Sequence, residues 1–202
     1  MNVVALHCKS SVFQKLGNYE EALKYLDDAL AIWPDYTDGL VNKGVILSDL
    51  GKYDEAIECF DKALKIDPKS SIAWNNKGSA LQRLENYQEA LGAFNKSIDI
   101  DPKSSETWYN KGYTLWKLGK YPESIDSFNQ ASELCLTYSK LELQFFLEYL
   151  DKFIEIYPKD ALVWFNKGVI LKQLGKSQEA LECLNKSRDL DPDFETMLKD
   201  KK

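Results

Sequence analysis

The chain has 202 residues, of which 44% are hydrophobic and 29% are charged, with a formal net charge of −6. This hydrophobic content is typical of a folded globular protein and too high for a disordered one. No uncharged apolar run reaches the roughly 18 residues of a membrane span, and no basic region precedes the apolar residues at the N-terminus. The acidic balance argues against nucleic-acid binding, which requires clustered lysine and arginine. We therefore expect a cytoplasmic protein that binds neither membranes nor nucleic acid.

Catalytic and metal-binding motifs are missing from the sequence. The four cysteines are far apart, at positions 8, 59, 135 and 183, and His7 is the one histidine. Zinc sites use about four convergent ligands, usually in two close-set pairs, so we expect free thiols and no metal or other cofactor. His7 and Cys8 are neighbours and would point in different directions on a helix. Without a glycine-rich phosphate loop or a recognised nucleophile motif, the sequence predicts a protein that is not an enzyme.

A 34-residue period organises the chain. Small residues, alanines and prolines recur at this interval, which is the signature of a repeat protein. The members of three such series are Gly44, Gly78 and Gly112, then Ala22, Ala56 and Ala90, and then Pro34, Pro68 and Pro102. Pro158 and Pro192 show the same separation nearer the C-terminus.

One unit, residues 71–104, shows what each repeat forms. Trp74, Gly78 and Leu81 share one face of a first helix, and a second helix that ends at Pro102 has its own apolar stripe of Tyr87, Ala90, Leu91, Phe94, Ser97 and Ile98. Such a hairpin has an apolar face that it cannot bury alone. Stacked hairpins bury that face, so the pattern predicts a solenoid.

These residues resemble the tetratricopeptide repeat, whose pattern W…LG…Y…A…F…A…P also has a 34-residue period. The resemblance is clearest at 74–102, 108–131 and 164–192. Departures from the pattern are mild, for example Leu6 and Leu40 in place of the first aromatic residue. The resemblance implies an all-α, right-handed solenoid of helical hairpins and a non-catalytic role in protein–protein interaction. The repeats that it implies are residues 3–36, 37–70, 71–104, 105–138 and 161–194.

The period is interrupted between the last two repeats. One period after Gly112 the sequence has Phe146, and the matching glycine comes only at Gly168. We therefore expect residues 139–160 to form a truncated single-helix unit. Residues 121–157 could form one long helix or two, and the capping-box pair Ser139 and Glu142 favours a new helix near residue 140. Residues 195–202 are expected to form a tail or a short capping helix.

The resemblance also implies a concave groove that is lined by the first helix of each hairpin. Two sets of residues are its candidate peptide-binding side chains: asparagines at one repeated position, and aromatic residues that would anchor a ligand. They are Asn42, Asn76, Asn110 and Asn166, together with Tyr109, Tyr113, Trp116 and Phe165. One alternative is that the asparagines only form the exposed polar face of a helix and bind no ligand. Another is that the chain itself covers the aromatic residues. The repeated lysines, such as Lys77, are expected to lie along the helix packing.

The sequence therefore favours a scaffold that presents this groove to a peptide or helix of an unidentified partner protein. The groove lacks the lysines and arginines with which one subtype of the family holds a C-terminal carboxylate, so that ligand is disfavoured. The alternative is self-assembly through the groove or through the N-terminal hairpin. In that hairpin Val3, Val4, Leu6 and Val12 have no preceding repeat to cover them, and a homodimer could form there or through residues 139–160.

Overall fold

The computed structural model describes residues 2–134, 143–144, 147–148, 150–151, 154–155 and 158–192, and the part of the chain that it describes is all-α. Ten helices within these residues form paired hairpins. Their bounds are α1 Val3–Lys15, α2 Tyr19–Ile32, α3 Thr37–Asp49, α4 Tyr53–Ile66, α5 Ser71–Arg83, α6 Tyr87–Ile100, α7 Ser105–Lys117, α8 Tyr121–Leu134, α9 Ala161–Gln173 and α10 Ser177–Leu190.

The chain divides into two compact units, Met1–Leu134 and Cys135–Lys202. In the first unit, α1 to α8 form four hairpins, and the second helix of each hairpin packs against the first helix of the next. In the second unit, α9 and α10 form a hairpin. The residues described between 143 and 155 are helical, and Leu143, Leu147 and Leu150 among them are buried.

The second, third and fourth hairpins each close where an aromatic ring of the second helix lies on a glycine of the first. Phe60 covers Gly44, and Phe94 covers Gly78 in the same way. A Cβ atom on Gly44 would lie 2.5 Å from the Phe60 ring, and one on Gly78 would lie 2.6 Å from the Phe94 ring. Both phenylalanines are fully buried. The repeated glycine is therefore required by the close approach of the two helices.

The turns inside the hairpins use a left-handed residue at the end of the first helix. Gly17, Gly51, Gly119 and Gly175 have φ between 72° and 78°. In the third hairpin this position is Glu85, which has φ of 62°. A side chain makes this conformation costly, by roughly 1–2 kcal/mol, so the hairpin packing of α5 and α6 holds Glu85 in it.

The repeated tryptophan and proline are joined by a hydrogen bond. The indole N–H of Trp74 donates to the carbonyl oxygen of Pro68 at 3.1 Å, and Trp108 donates to Pro102 at 2.9 Å. In the second unit Trp164 donates to Pro158 at 2.9 Å. The bond fixes the start of a first helix against the turn before it, which explains why the two residues keep a constant spacing.

Ion pairs join consecutive hairpins at one repeated position. Lys43 of α3 pairs with Asp27 of α2, and Lys77 of α5 pairs with Asp61 of α4 at the same sequence separation. Lys77 also lies over the Trp74 ring, so the lysines pack between helices. Lys167 of α9 pairs with Asp151, again at this separation. The helical residues before Pro158 therefore meet α9 as a second helix meets the next hairpin.

Lys111 of α7 occupies the same position as these lysines, but Asn95 stands where the others have their aspartate. Burial lowers the pKa of Lys111 below the ordinary lysine value of 10.5, and the Asp99 carboxylate partly opposes this shift. The ammonium group lies 4.9 Å from the centre of the Trp108 ring. Lys111 is thus a partly desolvated cation at a position where α3, α5 and α9 have an ion pair.

Two predictions of the sequence fall largely outside the described residues. The truncated unit at 139–160, including the capping box of Ser139 and Glu142 and the choice between one and two helices, is described only at the positions given above. The capping helix at 195–202 lies entirely outside the described residues. Both therefore stay predictions.

We predict that Gly44→Ala lowers the free energy of unfolding by about 1–3 kcal/mol, because the new methyl group overlaps the buried Phe60 ring. Gly92→Ala is the matched control, since Gly92 lies in α6 with nothing within 4 Å of its added Cβ. That substitution should stabilise the protein by about 0.5–1 kcal/mol. Urea unfolding measures both values, and equal effects of the two substitutions would contradict this account of the glycine.

We also predict that Asn95→Asp stabilises the protein by roughly 0.5–1 kcal/mol at pH 7, because it supplies the carboxylate that the partly desolvated Lys111 lacks. The gain should be lost as the pH rises through the pKa that Lys111 has in the folded variant, because a neutral amine no longer attracts the carboxylate. Asp61→Asn, which removes the equivalent partner of Lys77, should destabilise the protein by a similar amount. Urea unfolding at pH 7 and pH 11 measures these effects. Unchanged stability of Asn95→Asp at pH 7 would refute the assignment.

Candidate functional site

The first helices of the first unit contact one another along one face, which we call the inner face. Among the described elements, α3 contacts α5 and α5 contacts α7. Side chains that point away from the second helices are therefore brought together from several hairpins. The geometry places equivalent residues of consecutive repeats side by side, so any polar side chain repeated at this face can bond to its equivalent in the next hairpin.

The His7 ring joins α1 to α3 on the inner face. Its Nδ1 lies within hydrogen-bond distance of the Tyr36 hydroxyl, and its Nε2 lies against the amide nitrogen of Asn42. The two ring nitrogens of His7 thus have one partner each, the Tyr36 hydroxyl and the Asn42 amide. Burial, and then the charges of Asp38 and Cys8, raise the pKa of Tyr36, so its hydroxyl stays protonated. The amide of Asn42 is thus used within the chain.

A second group of hydrogen bonds joins α5 to α7. Asn75 donates to the Glu106 carboxylate at 3.0 Å, and Asn110 donates to the side-chain oxygen of Asn75 at 3.3 Å. Gln82 donates to the Thr114 hydroxyl at 2.7 Å and to the Asn110 carbonyl at 3.1 Å. The amide of Asn110 is therefore also used in holding neighbouring first helices together.

Between these two groups of bonds the inner face opens into a cleft of about 440 Å³, which we call the α3–α5 cleft. Its walls are the C-terminal half of α3 and the exposed face of α5, with contributions from α4 and α7. The lining residues are Val45, Ser48, Asp49, Tyr53, Asn76, Ser79, Ala80, Arg83 and Glu106. A smaller cavity of about 140 Å³ shares Asn76 and Glu106 with it.

Several polar groups of this cleft have no partner within the described part of the chain. Asn76 makes no side-chain hydrogen bond there, and Arg83 makes no ion pair, although Asp49 and Glu106 line the same cleft. The Ser48 hydroxyl oxygen is buried and has no hydrogen-bond partner among the described residues. Buried hydroxyl groups are normally satisfied. The cleft therefore presents unused hydrogen-bonding capacity.

The predicted aromatic anchors lie on α7, one hairpin further along. The Tyr109 ring packs edge-on against Phe128 at 5.4 Å between centres, so it contributes to the packing of its own hairpin. Tyr113 and Trp116 lie 5.6 Å apart, and the Lys117 ammonium lies over both, at 5.6 and 5.1 Å from the ring centres. These rings form a surface that already holds a cation of the chain.

The other two predicted site residues belong to the second unit. Phe165 and Asn166 lie on α9, and both are half-buried. Of the eight candidate residues, Asn76 is the one that the structure places in the α3–α5 cleft.

The sequence could have indicated most of the cleft, because Ser48, Asp49, Ser79 and Arg83 lie on first helices, which are expected to line the groove. The sequence pattern indicated asparagine and aromatic side chains as the ligand contacts and gave no role to these four residues. Tyr53 gives no such signal, since it lies on a second helix. Its presence in the cleft depends on how α4 packs beside α5.

The described residues do not offer an evident catalytic group. Burial raises the pKa of the Cys59 thiol and of the Cys183 thiol, which makes both poor nucleophiles at neutral pH. Within the described ranges, no group of three or more His, Cys, Asp and Glu side chains could hold a metal ion. The helices of this part of the chain are also too short or too polar to cross a membrane.

Comparison with protein-family models gives matches to the tetratricopeptide repeat along most of the chain. One model of this repeat matches residues 37–70, 71–104 and 161–194. Two further models of the same repeat match residues 3–33 and 93–126. A comparison with curated protein sequences gives no significant match.

The fold is similar to those of solved tetratricopeptide repeat proteins. A MamA structure from Desulfovibrio magneticus RS-1, comprising residue 41 to the end, is 21% identical, with a TM-score of 0.63 over 94% of this chain and 95% of that one. YrrB, described as a TPR protein with an unusual peptide-binding site, is 21% identical, with a TM-score of 0.60 over 99% of this chain and 92% of its own. At these identities the likeness shows the fold alone. With the repeat models matching half of its residues, the chain belongs to the tetratricopeptide repeat family.

Proposed function

We propose that this protein is a non-catalytic scaffold that binds an extended segment of a partner protein in the α3–α5 cleft. The observation that carries the proposal is the cleft itself: a volume of about 440 Å³ on the inner face, with polar groups that the described chain leaves unsatisfied. An extended peptide exposes a backbone donor and acceptor at every residue. Asn76, which is half-buried, is suited to pair with them, since an amide can both donate and accept.

The predicted site residues take different roles in this proposal. Asn76 contacts the peptide, whereas Asn42 and Asn110 support the cleft by joining neighbouring first helices. Tyr113 and Trp116, with Lys117 over their rings, extend the binding surface along α7. Rigid aromatic side chains are frequent anchors at interfaces. The fold of YrrB, a TPR protein with a peptide-binding site, is consistent with a ligand of this class.

We propose the cytoplasm as the compartment. Cys8, Cys59 and Cys183 are free thiols in the structure, and Cys8 is exposed to solvent. Unpaired cysteines persist in reducing compartments, whereas secreted proteins usually pair theirs.

The proposal is tested by selecting peptides from a phage-displayed library of random 12-residue peptides on the immobilised full chain. We predict that selected peptides bind in the micromolar range and that Asn76→Arg weakens them at least tenfold, because the longer side chain fills the cleft. Fluorescence anisotropy with labelled peptides measures the affinity. Gln88→Arg is the matched control, since it makes a similar change at an exposed position of α6 and should leave binding unchanged. Selected peptides that are indifferent to Asn76→Arg would place binding elsewhere.

A second candidate function is self-association, and the exposed face of α1 favours it. Val12 is 57% exposed, whereas the residues at the same repeat position, Ile46, Ala80 and Thr114, are at most 1% exposed. Those residues are covered because a preceding hairpin packs on them. Val4 and Leu16 extend the exposed apolar face, at 56% and 68%. A second copy of the chain, which carries helices that cover such a face internally, is the proposed occupant.

We predict that Val12→Glu abolishes any dimer that the wild-type chain forms at tens of micromolar, because the charge would be buried in the interface. Light scattering on a size-exclusion column measures the mass. Ile66→Glu, at a 41% exposed position of α4, should leave the mass unchanged. A monomeric wild-type chain at this concentration would remove self-association as a function.

A further inference from the structure

We infer that Lys111 is a site of acyl modification, whose amine reacts with a small acyl phosphate in preference to the lysines at the same position of the neighbouring repeats. This reactivity goes beyond the functions proposed above and does not depend on either of them. Its basis is the junction between α6 and α7, where one of the repeated ion pairs is missing.

The lysines of this repeated position form a comparison set within one chain. Lys43, Lys77 and Lys111 occupy the same position on α3, α5 and α7, and all three are half-buried. Lys43 and Lys77 each pair with an aspartate of the preceding second helix. At the equivalent position α6 has Asn95, and the ion pairs of the described residues do not include Lys111. The three lysines therefore have the same setting and differ in the partner.

The Trp108 ring replaces the carboxylate at this junction. The Lys111 ammonium lies 4.9 Å from the centre of that ring, whereas Lys77, which has its aspartate, lies 5.6 Å from the equivalent ring of Trp74. An aromatic face attracts a cation through its π electrons but carries no formal negative charge. The ammonium group is thus partly removed from water without a carboxylate in contact.

This environment makes the amine easier to deprotonate. Burial lowers the pKa of Lys111 below the ordinary lysine value of 10.5, and the charge of Asp99 on α6 opposes this shift without cancelling it. A carboxylate in contact would favour the charged form instead. Since only the neutral amine is a nucleophile, the fraction of Lys111 that can react at neutral pH is larger than for an ordinary lysine.

The modification is an acyl transfer in which no group is oxidised or reduced. The lone pair of the neutral Lys111 amine attacks the carbonyl carbon of the acyl phosphate and forms a C–N bond. The bond between that carbon and the phosphate oxygen breaks, and phosphate leaves with the electron pair. The nitrogen gives its proton to water, so the product is an uncharged amide. A small donor fits best because the lysine is half-buried beside the Trp108 ring.

The missing ion pair also allows the chain to tolerate the product. Acylation removes the positive charge of a lysine. At Lys77 this would leave the Asp61 carboxylate at the junction without its partner. At Lys111 it breaks no ion pair of the described residues, and it removes a partly buried charge, which is costly to keep without a counter-ion.

The experiment labels the full chain with acetyl phosphate at pH 8 and measures the acetylation rate of each lysine by mass spectrometry of its peptides. We expect Lys111 to react about threefold faster or more than Lys43 and Lys77. Asn95→Asp, which supplies the missing carboxylate, should slow Lys111 to the rate of Lys77. Asp61→Asn is the reciprocal variant, which should accelerate Lys77 and leave Lys111 unchanged.

The pH dependence distinguishes an amine that loses its proton easily from one that is only more accessible. If proton loss is the cause, the advantage of Lys111 over Lys77 should shrink as the pH rises from 8 to 11, because ordinary lysines also become neutral in that range. An accessible amine would keep its advantage throughout. A constant ratio of the two rates would therefore overturn the inference.

Equal rates at Lys111 and Lys77 in the wild type would also overturn it, as would an unchanged Lys111 rate in Asn95→Asp. Lys24, an exposed residue of α2, provides the reference rate and should be the same in all three chains. Circular dichroism shows whether each variant is folded. The two substitutions change different junctions, so either one tests the role of the carboxylate if the other does not fold.

Discussion

The contact between a glycine of the first helix and an aromatic ring of the second is the constraint on which the rest of this structure depends. The Phe60 ring lies on Gly44 in the second hairpin, and the Phe94 ring lies on Gly78 in the third. In both hairpins the helices approach so closely that a Cβ atom at the glycine position would overlap the ring. The same contact, of Phe128 on Gly112, holds the two helices of the fourth hairpin together. Equivalent residues of successive hairpins then meet at the junctions between them, as the repeated lysine–aspartate pairs show.

The junctions between hairpins show the consequence. The Lys43–Asp27 and Lys77–Asp61 pairs have the same sequence separation because each connects a first helix to the second helix before it. The Lys167–Asp151 pair extends the rule to the second unit, where the 34-residue period alone had suggested a truncated repeat. A hairpin can thus lose regularity in sequence and still meet the following one in the usual way.

The inner face results from the same packing of successive hairpins, but the hydrogen-bond partners of its polar side chains differ from hairpin to hairpin. His7 and Asn42 bond to each other between α1 and α3, and Asn75, Asn110 and Glu106 do so between α5 and α7. Between these two closed sections lies the α3–α5 cleft, where Asn76 has no such neighbour among the described residues. One repeated asparagine position therefore has two roles, support at some hairpins and proposed ligand contact at another, and what lies opposite in the neighbouring hairpin decides which.

The sequence by itself determined the helices, the hairpins and the family, because the repeat period and the Gly, Ala, Trp and Pro positions are local requirements of helix faces and turns. It also indicated the groove-facing positions, including that of Asn76. Only the tertiary structure decided that Asn42 and Asn110 are engaged, that Lys117 covers the Tyr113 and Trp116 rings, and that Arg83 and Ser48 lie in a cleft without partners in the described chain. These outcomes depend on side-chain distances between hairpins that are one full repeat apart in the sequence. A repeat pattern specifies that equivalent helices meet, but the particular side chains opposite each other decide which groups bond and which stay available.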